Sequence, residues 1–311
     1  MWVKDRGVEQ SNGLFDSSRG VGKVLNSDAN NATNDSEGVT SFDSDGYTMG
    51  TYYNQSTRNY VSWSWKANGA TTTTNDASAT SIGTIDSVYQ ANTKAGFSII
   101  TYTGSGSTGS IAHGLGVRPA FLMIKQLNES RNWMVFHKNY QDNYFTLNAT
   151  DGAAGGYYGT GDDFDANYTT TTLKWEGATT EVNKSTGTYV CYAWAEVEGY
   201  SKFDSYEGTG SATNSPFIYT GFKPALVMCK SAGTENWIVV DDQRPGYNPT
   251  GNYLYWNLAN TEGGTGAQDE YIDLMSNGFK LRTTGASANS SGVIYIYAAW
   301  AHHPFKYNNA R

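Results

Sequence analysis

Six aromatic residues fall in Gly-, Asn- and Asp-rich segments and have no counterpart elsewhere in the sequence: Tyr157, Tyr158, Tyr168, Tyr247, Tyr253 and Trp256. A Tyr or Trp ring beside amide and carboxylate groups offers a flat apolar face with hydrogen-bonding neighbours, which suits sugars and protein surfaces alike. These six residues are therefore the candidate ligand-binding residues. The alternative is that their rings fill the space between loops.

Carboxylates cluster in three places, at residues 43–46, 162–165 and 241–242. Acidic loops can bind Ca²⁺, and pairs of carboxylates from distant loops can hydrolyse glycosidic bonds. The spacing of an EF-hand is absent, however, so turn-forming or solvated roles are favoured and no metal site is predicted. A glycosidase with paired carboxylates stays open as an alternative.

His113 is the most prominent candidate for a catalytic base, because it opens the run His113-Gly114-Leu115-Gly116. A matching run later in the chain reads Thr220-Gly221, so the imidazole is replaced while the glycine is kept. This comparison favours a glycine turn over a catalytic site. The sequence also has no nucleophile elbow, zinc-protease motif, phosphate loop or dinucleotide fingerprint. We therefore predict no catalytic residue, no cofactor and no enzymatic activity.

The elements that must position these residues recur along the chain. Residues 119–125 (PAFLMIK) recur as 224–230 (PALVMCK), and a polar turn and an Asn-Trp pair follow each run. A weaker third copy opens the chain, with Lys4 at the place of Lys125. Each copy closes on a run that begins with Tyr and ends with Trp, at residues 60–65, 189–194 and 295–300. The sequence therefore predicts three copies of one module.

These runs are strands by composition, being short, rich in Val, Ile, Tyr, Phe, Trp and Thr, and bounded by turn residues. Asp45-Gly46 and Asn277-Gly278 indicate hairpins with type I′ turns. Helical periodicity with caps is absent over any long window. We predict an all-β fold of three tandem related β-sandwich modules of jelly-roll or Ig-like type. The recurring tryptophans, Trp65 among them, are predicted to be core residues.

The predicted boundaries are module 1 at 1–66, a Thr/Ser/Ala-rich linker at 67–81, module 2 at 82–198 and module 3 at 199–311. A strand-like run precedes the second and third copies but has no counterpart before the first. Module 1 is therefore expected to lack its opening strand. Its sheet edge is then either exposed or covered by another chain.

Composition excludes several classes of function. The 311 residues carry a net charge of −8, which gives no electrostatic footprint for nucleic acid. No stretch of about 18 apolar residues occurs, so membrane insertion is not predicted, and the N-terminus lacks the apolar core of a signal peptide. Aromatic residues make up 14%, enough apolar surface to exclude simple disorder. Cys191 and Cys229 are predicted to be small buried hydrophobes.

The run at residues 96–104 (GFSIITYTG), followed by His113-Gly114-Leu115-Gly116, Pro119 and Lys125, resembles a module of tailed-bacteriophage virion proteins. The run resembles in particular a module of tail-fibre and related appendage proteins of marine phages, and residues 2–47 resemble the same group. The resemblance implies β-sandwich modules, a location in the virion, no cofactor, and other virion proteins as partners. It also implies a homo-oligomer, with a trimer expected. No functional residue is carried over from it.

The first functional hypothesis is a non-enzymatic virion structural protein, a tail-fibre or appendage component that contributes to host-surface attachment. Its further partner would be a glycan or a protein of the host surface. One alternative is a capsid or tail decoration protein that binds only other virion proteins. Another is a glycan-degrading tailspike.

Overall fold

The computed structural model describes residues 1–35, 38–155, 164–177, 179–244, 248–263 and 272–302. The chain divides into two compact units. Unit 1 comprises Met1–Asn148 and Ala154–Ala195, and unit 2 comprises Ala149–Ala153 and Glu196–Arg311. No helix in the described ranges is long and apolar enough to span a membrane.

Unit 1 contains two groups of strands. The first group is β1 (Trp2–Asp5), β2 (Gly13–Leu14), β3 (Lys23–Asn26), β4 (Asn34–Asp35), β5 (Val39–Phe42), β6 (Tyr47–Met49) and β7 (Tyr60–Trp63). The second group is β8 (Thr73–Asn75), β9 (Ser87–Asn92), β10 (Phe97–Thr103), β11 (Gly109–Ala112), β12 (Phe121–Gln126), β13 (Met134–His137), β14 (Asn143–Thr146), β15 (Ala154–Gly155), β16 (Thr172–Trp175) and β17 (Thr188–Trp194). Its helices are the single turns α1 (Ala77–Thr80) and α2 (Phe164–Asn167).

The strands of unit 1 pair antiparallel and build two sandwiches. In the first, the sheet β4-β3-β2-β1-β7 faces the β5–β6 hairpin, and Val3 and Val39 meet in the core between them. In the second, the sheet β15-β14-β13-β12-β17-β10-β9-β8 faces the β11–β16 pair, with Ile124 and Trp175 in the core. Burying each large apolar side chain contributes about 1.5–3 kcal/mol, which is what holds the facing layers together.

Unit 2 repeats this layered arrangement. Its strands are β18 (Ser201–Glu207), β19 (Phe217–Tyr219), β20 (Pro224–Ser231), β21 (Trp237–Asp241), β22 (Leu254–Tyr255), β23 (Ile272–Met275), β24 (Gly278–Leu281) and β25 (Ile294–Ala301), and its helical turn is α3 (Ala286–Asn289). The sheet β18-β25-β20-β21-β22 faces the sheet β19-β24-β23. Val227 and Phe279 come from the two layers and share one core. The predicted all-β, sandwich-type fold is confirmed.

A tyrosine at or next to the start of each closing strand, β7, β17 and β25, makes the same hydrogen bond. Its hydroxyl oxygen accepts a backbone N–H from the residue five positions earlier. The pairs are Gln55 N to Tyr60 Oη at 3.3 Å, Lys184 N to Tyr189 Oη at 2.9 Å, and Ser290 N to Tyr295 Oη at 2.8 Å. This contact closes the loop before each strand onto the strand itself. It favours the repeat hypothesis, although the division into three modules stays a prediction.

A buried lysine also recurs, one in each of β1, β12 and β20. Lys4, Lys125 and Lys230 are fully buried, and each Nζ donates a hydrogen bond to the carbonyl of the following residue, at 2.8, 2.7 and 2.9 Å. Burial lowers the pKa of all three, to about 8 for Lys125 and Lys230. Burying an ammonium group costs free energy. Its recurrence at the same place in three strands therefore indicates that the lysine has a structural role in the fold.

Replacing Tyr189 by Phe is expected to lower the free energy of unfolding by about 1–2 kcal/mol. The hydroxyl accepts from Lys184 N and donates to the Thr180 carbonyl at 2.9 Å, so its removal leaves both backbone groups without this partner. Chemical denaturation measures the change. Tyr219→Phe is the matched control, because its ring is 65% exposed, and it is expected to stay within about 0.5 kcal/mol of the parent. Equal losses in the two variants would contradict the assigned role.

Part of the segment predicted as a linker, residues 67–81, forms regular structure. Its strand β8 adds to the edge of the eight-stranded sheet by pairing with β9, and the helical turn α1 follows. The segment is thus an extended surface strand over Thr73–Asn75. The boundary prediction itself stays a prediction. Cys191 and Cys229 are free and buried, as predicted, and burial raises the pKa of the Cys191 thiol.

Both predicted hairpins are present, but neither has the predicted type I′ turn, because Gly46 and Gly278 lack the positive φ that this turn requires. Gly278 also has a different role from the one expected. β23 and β24 pair with Met275 opposite Gly278, so Gly278 lies in the strand and the turn comes before it. A Cβ at this position would lie 2.1 Å from the carbonyl oxygen of Ile218 on β19. Glycine is required here because the neighbouring backbone approaches too closely for any side chain.

Candidate functional site

Three of the six predicted ligand-binding aromatics, Tyr157, Tyr158 and Tyr247, lie outside the described residues. The other three are placed by the structure and pack inside it. Tyr168 and Trp256 are 0% and 1% exposed, and Tyr253 is half-buried. Binding by these side chains stays a prediction, but Tyr168 and Trp256 present no exposed ring to a ligand.

The reason for the burial of Tyr168 is its position directly after α2. This single helical turn directs the Tyr168 ring inwards, edge-on to Phe164 at 4.6 Å and to Phe136 at 6.3 Å. In unit 2, the Tyr253 ring lies edge-on to Tyr255 at 5.2 Å. Tyr168 therefore belongs to the core of unit 1, and Tyr253 packs on the strand residue Tyr255. Their use as filling between loops stays a prediction.

His113 lies in a turn, as predicted. Its side chain is fully buried, and Nδ1 accepts a hydrogen bond from Leu115 N at 3.2 Å. Burial lowers the pKa of the imidazole to about 4, so it is neutral at physiological pH. Gly114 and its counterpart Gly221 have φ of 71° and 85°, the left-handed conformation that explains why the glycine is kept while the histidine is not.

A cleft of about 620 Å³ lies in unit 1, and we call it the hairpin cleft. The tip of the β5–β6 hairpin forms one wall, and the segment that follows β7, residues 64–70, forms another. Sheet residues that include Phe97, Tyr192 and Trp194 complete it. Its volume lies within the range of about 300–1,000 Å³ that is usual for small-molecule sites.

The hairpin cleft has an aromatic lining built around Trp194. Phe97 on β10 stacks on Trp194 with ring centroids 4.9 Å apart, and Trp65 meets Trp194 edge-on at 5.8 Å. Phe42 and Tyr47, opposite each other in the β5–β6 register, bring two more rings from the hairpin. Trp65 was predicted to be a core residue, and this is wrong. β7 ends at Trp63, so Trp65 has left the sheet and is only half-buried.

Two carboxylates, Asp43 and Asp45, lie at the exposed tip of the hairpin and line the cleft. Asp43 is held by its neighbours: Oδ1 accepts from Ser41 Oγ at 2.8 Å, and Oδ2 accepts from Thr48 Oγ1 at 3.1 Å. Its own N–H donates to the Gly46 carbonyl at 2.9 Å and closes the turn. Each carboxylate oxygen keeps a further lone pair that can accept a hydrogen bond from a ligand.

Asp16 lies at the base of the cleft in a buried charged cluster with Arg19 and Tyr192. Oδ2 accepts from Arg19 Nε at 2.5 Å and from Tyr192 Oη at 2.6 Å, while Oδ1 accepts the N–H groups of Ser18 and Arg19. Burial by itself would raise the pKa of Asp16, but the Arg19 charge and the Tyr192 hydrogen bond outweigh it and hold the pKa below its usual value. Burial also raises the pKa of Tyr192, so the phenol stays protonated and donates.

The other acidic clusters are used structurally where the structure describes them. Asp241 pairs with Arg244 at 2.7 Å in unit 2, with both side chains buried, and repeats the Asp16–Arg19 spacing of three residues. Asp165 makes an exposed ion pair with Arg118 at 2.6 Å, while residues 162 and 163 lie outside the described residues. Within the described ranges, no three His, Cys, Asp or Glu side chains group closely enough to hold a metal ion.

Sequence reasoning missed the hairpin cleft and the buried charged cluster. One signal was available: the spacing Asp-x-x-Arg follows a recurring strand at both Asp16 and Asp241. The cleft itself had no comparable signal, because its aromatic residues come from segments that are distant in the sequence and only the folded chain brings them together. The predicted Asp-Gly hairpin was the part of the site visible in the sequence.

The matching family model is described as "Domain of unknown function (DUF7483)", and it covers residues 1–304. The chain belongs to the DUF7483 family. No curated protein and no solved structure matches it significantly. In this DUF7483 chain the family match runs through all three predicted modules and includes every residue of the hairpin cleft.

Proposed function

We propose that this DUF7483 chain is a non-enzymatic structural protein of a phage virion, a tail-fibre or appendage component that contributes to host-surface attachment. We further propose that the hairpin cleft binds saccharide on that surface. The observation that carries the proposal is the juxtaposition of the Trp65 and Tyr47 rings with the carboxylates of Asp43 and Asp45 around one open cleft. The resemblance of residues 96–125 to phage virion modules supports the location.

The chemistry of the hairpin cleft matches what a sugar presents. A pyranose ring has an apolar face of C–H groups, which packs on an aromatic ring, and hydroxyl groups around its edge, which donate to carboxylates. Asp43 and Asp45 give the mouth of the cleft acidic character, and Lys66 is the one basic side chain among the described residues that line it. The proposed ligand class is therefore neutral or amino sugars rather than sulfated or phosphorylated ones.

Attachment by such a site gains strength from repetition. A single cleft with a few hydrogen bonds and one or two rings binds weakly, but linked copies convert later contacts into intramolecular events and raise avidity by about 10²–10⁴. A homotrimer held to other virion proteins would supply these copies. Nucleic acid and membrane insertion have no part in this proposal, in keeping with the net charge of −8.

Trp65→Ala is expected to weaken saccharide binding by tenfold or more, because it removes a ring face worth about 1.5 kcal/mol or more. A glycan array with the purified chain first identifies the sugar, and calorimetric titration then measures its affinity. Asp43→Asn is the second test, because it removes the charge of an exposed side chain and keeps the shape of that side chain. Tyr219→Ala is the matched control, because this exposed ring does not line the cleft. Unchanged affinity in both cleft variants would contradict the proposal.

The same preparation distinguishes the alternatives. Incubation with host polysaccharide is expected to release no reducing ends; their release would favour a glycan-degrading tailspike. If no glycan or host cell binds and the chain is found on the virion, a capsid or tail decoration protein that binds only virion components becomes the better account.

A further inference from the structure

The closing strand of the first copy, β7, has fewer neighbouring strands than β17 and β25, the closing strands of the other two copies. β17 lies between β12 and β10, and β25 lies between β20 and β18, so both edges of these strands are paired. β7 pairs with β1 on one edge. Within the described ranges no strand pairs with its other edge, which we call the outer edge of β7.

The strand that occupies this edge in the other two copies has a defined register. β10 pairs antiparallel with β17 and places Tyr102 opposite Tyr189, and β18 pairs antiparallel with β25 and places Tyr206 opposite Tyr295. The two tyrosine pairs stack in the same way. Their ring centroids are 5.1 and 5.2 Å apart, with interplanar angles of 16° and 10°. The edges of β17 and β25 that correspond to the outer edge of β7 are thus each paired with an antiparallel strand that carries a cross-strand tyrosine.

Tyr60 holds the position of Tyr189 and Tyr295 on β7 and accepts the equivalent hydrogen bond from Gln55 N at 3.3 Å. Its burial differs. Tyr189 and Tyr295 are fully buried, whereas Tyr60 is half-buried, and no ring of a described residue stacks on it. The side chain has the same local contact as its counterparts but lacks their cross-strand partner.

The two residues that follow Tyr60 show the same difference. Val61 is half-buried and Ser62 is exposed, while their counterparts on β17, Val190 and Cys191, are fully buried. Exposed N–H and C=O groups along a strand edge are a template for pairing with another chain. The outer edge of β7 therefore combines an open ladder with an uncovered tyrosine at a position where the fold elsewhere places a second one.

We propose that the outer edge of β7 accepts one antiparallel β-strand from another polypeptide, an extended segment that places a tyrosine opposite Tyr60. Main-chain hydrogen bonds to β7 would supply affinity, and the stacked tyrosine would set the register. This inference does not rest on saccharide binding by the hairpin cleft.

A different polypeptide fits this edge better than a second copy of the chain. Among the described residues, the two segments with the required pattern are β10 and β18, and each is already paired through seven register positions with its own closing strand. Donation by a second copy would first have to break one of these ladders. A segment that has no partner of its own carries no such penalty.

The probe is a synthetic peptide with the sequence of residues 96–105, GFSIITYTGS, labelled for fluorescence anisotropy and titrated into the full chain. We expect saturable binding, at least tenfold weaker for the peptide with Tyr102→Ala and lost for a peptide with Ile100→Pro, which breaks the ladder. In the chain, Tyr60→Ala is expected to weaken binding tenfold, while the exposed control Tyr219→Ala leaves it unchanged.

Amide hydrogen exchange on the unmodified chain locates the peptide without relying on a variant. Exchange at Tyr60–Trp63 is expected to slow when the peptide binds. The proposal is overturned if no saturable binding occurs, if the Tyr102→Ala peptide binds equally well, or if protection appears elsewhere. Protection of these amides by self-association of the chain without peptide would overturn the choice of occupant.

Discussion

Replacing Asp16 by Ala is expected to lower the free energy of unfolding by about 3–5 kcal/mol. The Arg19 side chain is 4% exposed and its partner carboxylate 1%, so the pair is shielded from water. Without Asp16, the guanidinium keeps the carbonyls of Lys23 and Leu14 and the Tyr192 phenol as partners, but no carboxylate neutralises it. A buried cation without its counter-ion is among the most costly defects that a single substitution makes.

Urea denaturation followed by tryptophan fluorescence measures this loss. Asp45→Ala is the matched control, because Asp45 is exposed at the hairpin tip, and it is expected to change stability by less than about 0.5 kcal/mol. The double variant Asp16→Ala with Arg19→Met is expected to recover part of the loss, since it removes both buried charges. A single variant within about 1 kcal/mol of the parent would contradict the account of this cluster.

The Asp16 cluster also predicts how stability depends on pH. Because the Arg19 charge and the Tyr192 hydrogen bond outweigh burial, the pKa of Asp16 is lower in the folded chain than in the unfolded one. Its contribution is therefore fully present above the unfolded value of about 3.9 and is lost as the pH falls through the lower folded value. Asp16→Ala should flatten this acid branch. An unchanged acid branch in the variant would contradict the assignment.

Lys125→Met is expected to act in the opposite direction and raise the free energy of unfolding at pH 7 by about 1–3 kcal/mol. The Lys125 ammonium is fully buried and, among the described residues, makes one hydrogen bond, to the Gln126 carbonyl at 2.7 Å. Met has a similar length and volume and carries no charge to desolvate. The substitution thus removes the cost of burying the charge and keeps the packing.

The pH dependence makes this second prediction specific. Burial lowers the pKa of Lys125 to about 8 in the folded chain, against about 10.4 in an unfolded one. Between these values the unfolded state binds more protons, so the stability contributed by this group rises with pH there. The variant should show a smaller rise, because Lys4 and Lys230, whose pKa values are also lowered, still contribute. Lys94→Met, at an exposed position, is the control. A destabilised Lys125→Met with an unchanged alkaline slope would contradict this reasoning.

Repetition made much of the fold predictable from the sequence. The closing strands and the strands that carry the three lysines were found because strand chemistry and spacing recur, whereas the two hairpins were found from the dipeptides Asp45-Gly46 and Asn277-Gly278. The sequence comparison also aligned Tyr60, Tyr189 and Tyr295, which the structure shows in equivalent hydrogen bonds. Local composition carries this information because short runs of β-branched and aromatic residues favour strands.

The site could not be predicted in the same way, since its residues are assembled by long-range contacts. Tyr168 lies in a polar segment yet is buried, because α2 directs it inwards, whereas Trp65 lies in a recurring run yet is half-exposed, because the strand ends before it. Residue type and local composition are the same whether a ring ends inside or outside the fold. Whether the ring is buried depends on where the chain leaves the sheet, and tertiary packing determines that position.

We propose that this DUF7483 chain belongs to an attachment appendage of a phage particle. The most direct measurement is electron cryo-microscopy of the intact purified particle, with an antibody against this chain as a label. The account predicts regularly repeated copies of the chain on a tail fibre or related appendage, and impaired adsorption when the antibody is bound. Absence of the chain from purified particles, or its confinement to the capsid surface with adsorption unaffected, would contradict the claim.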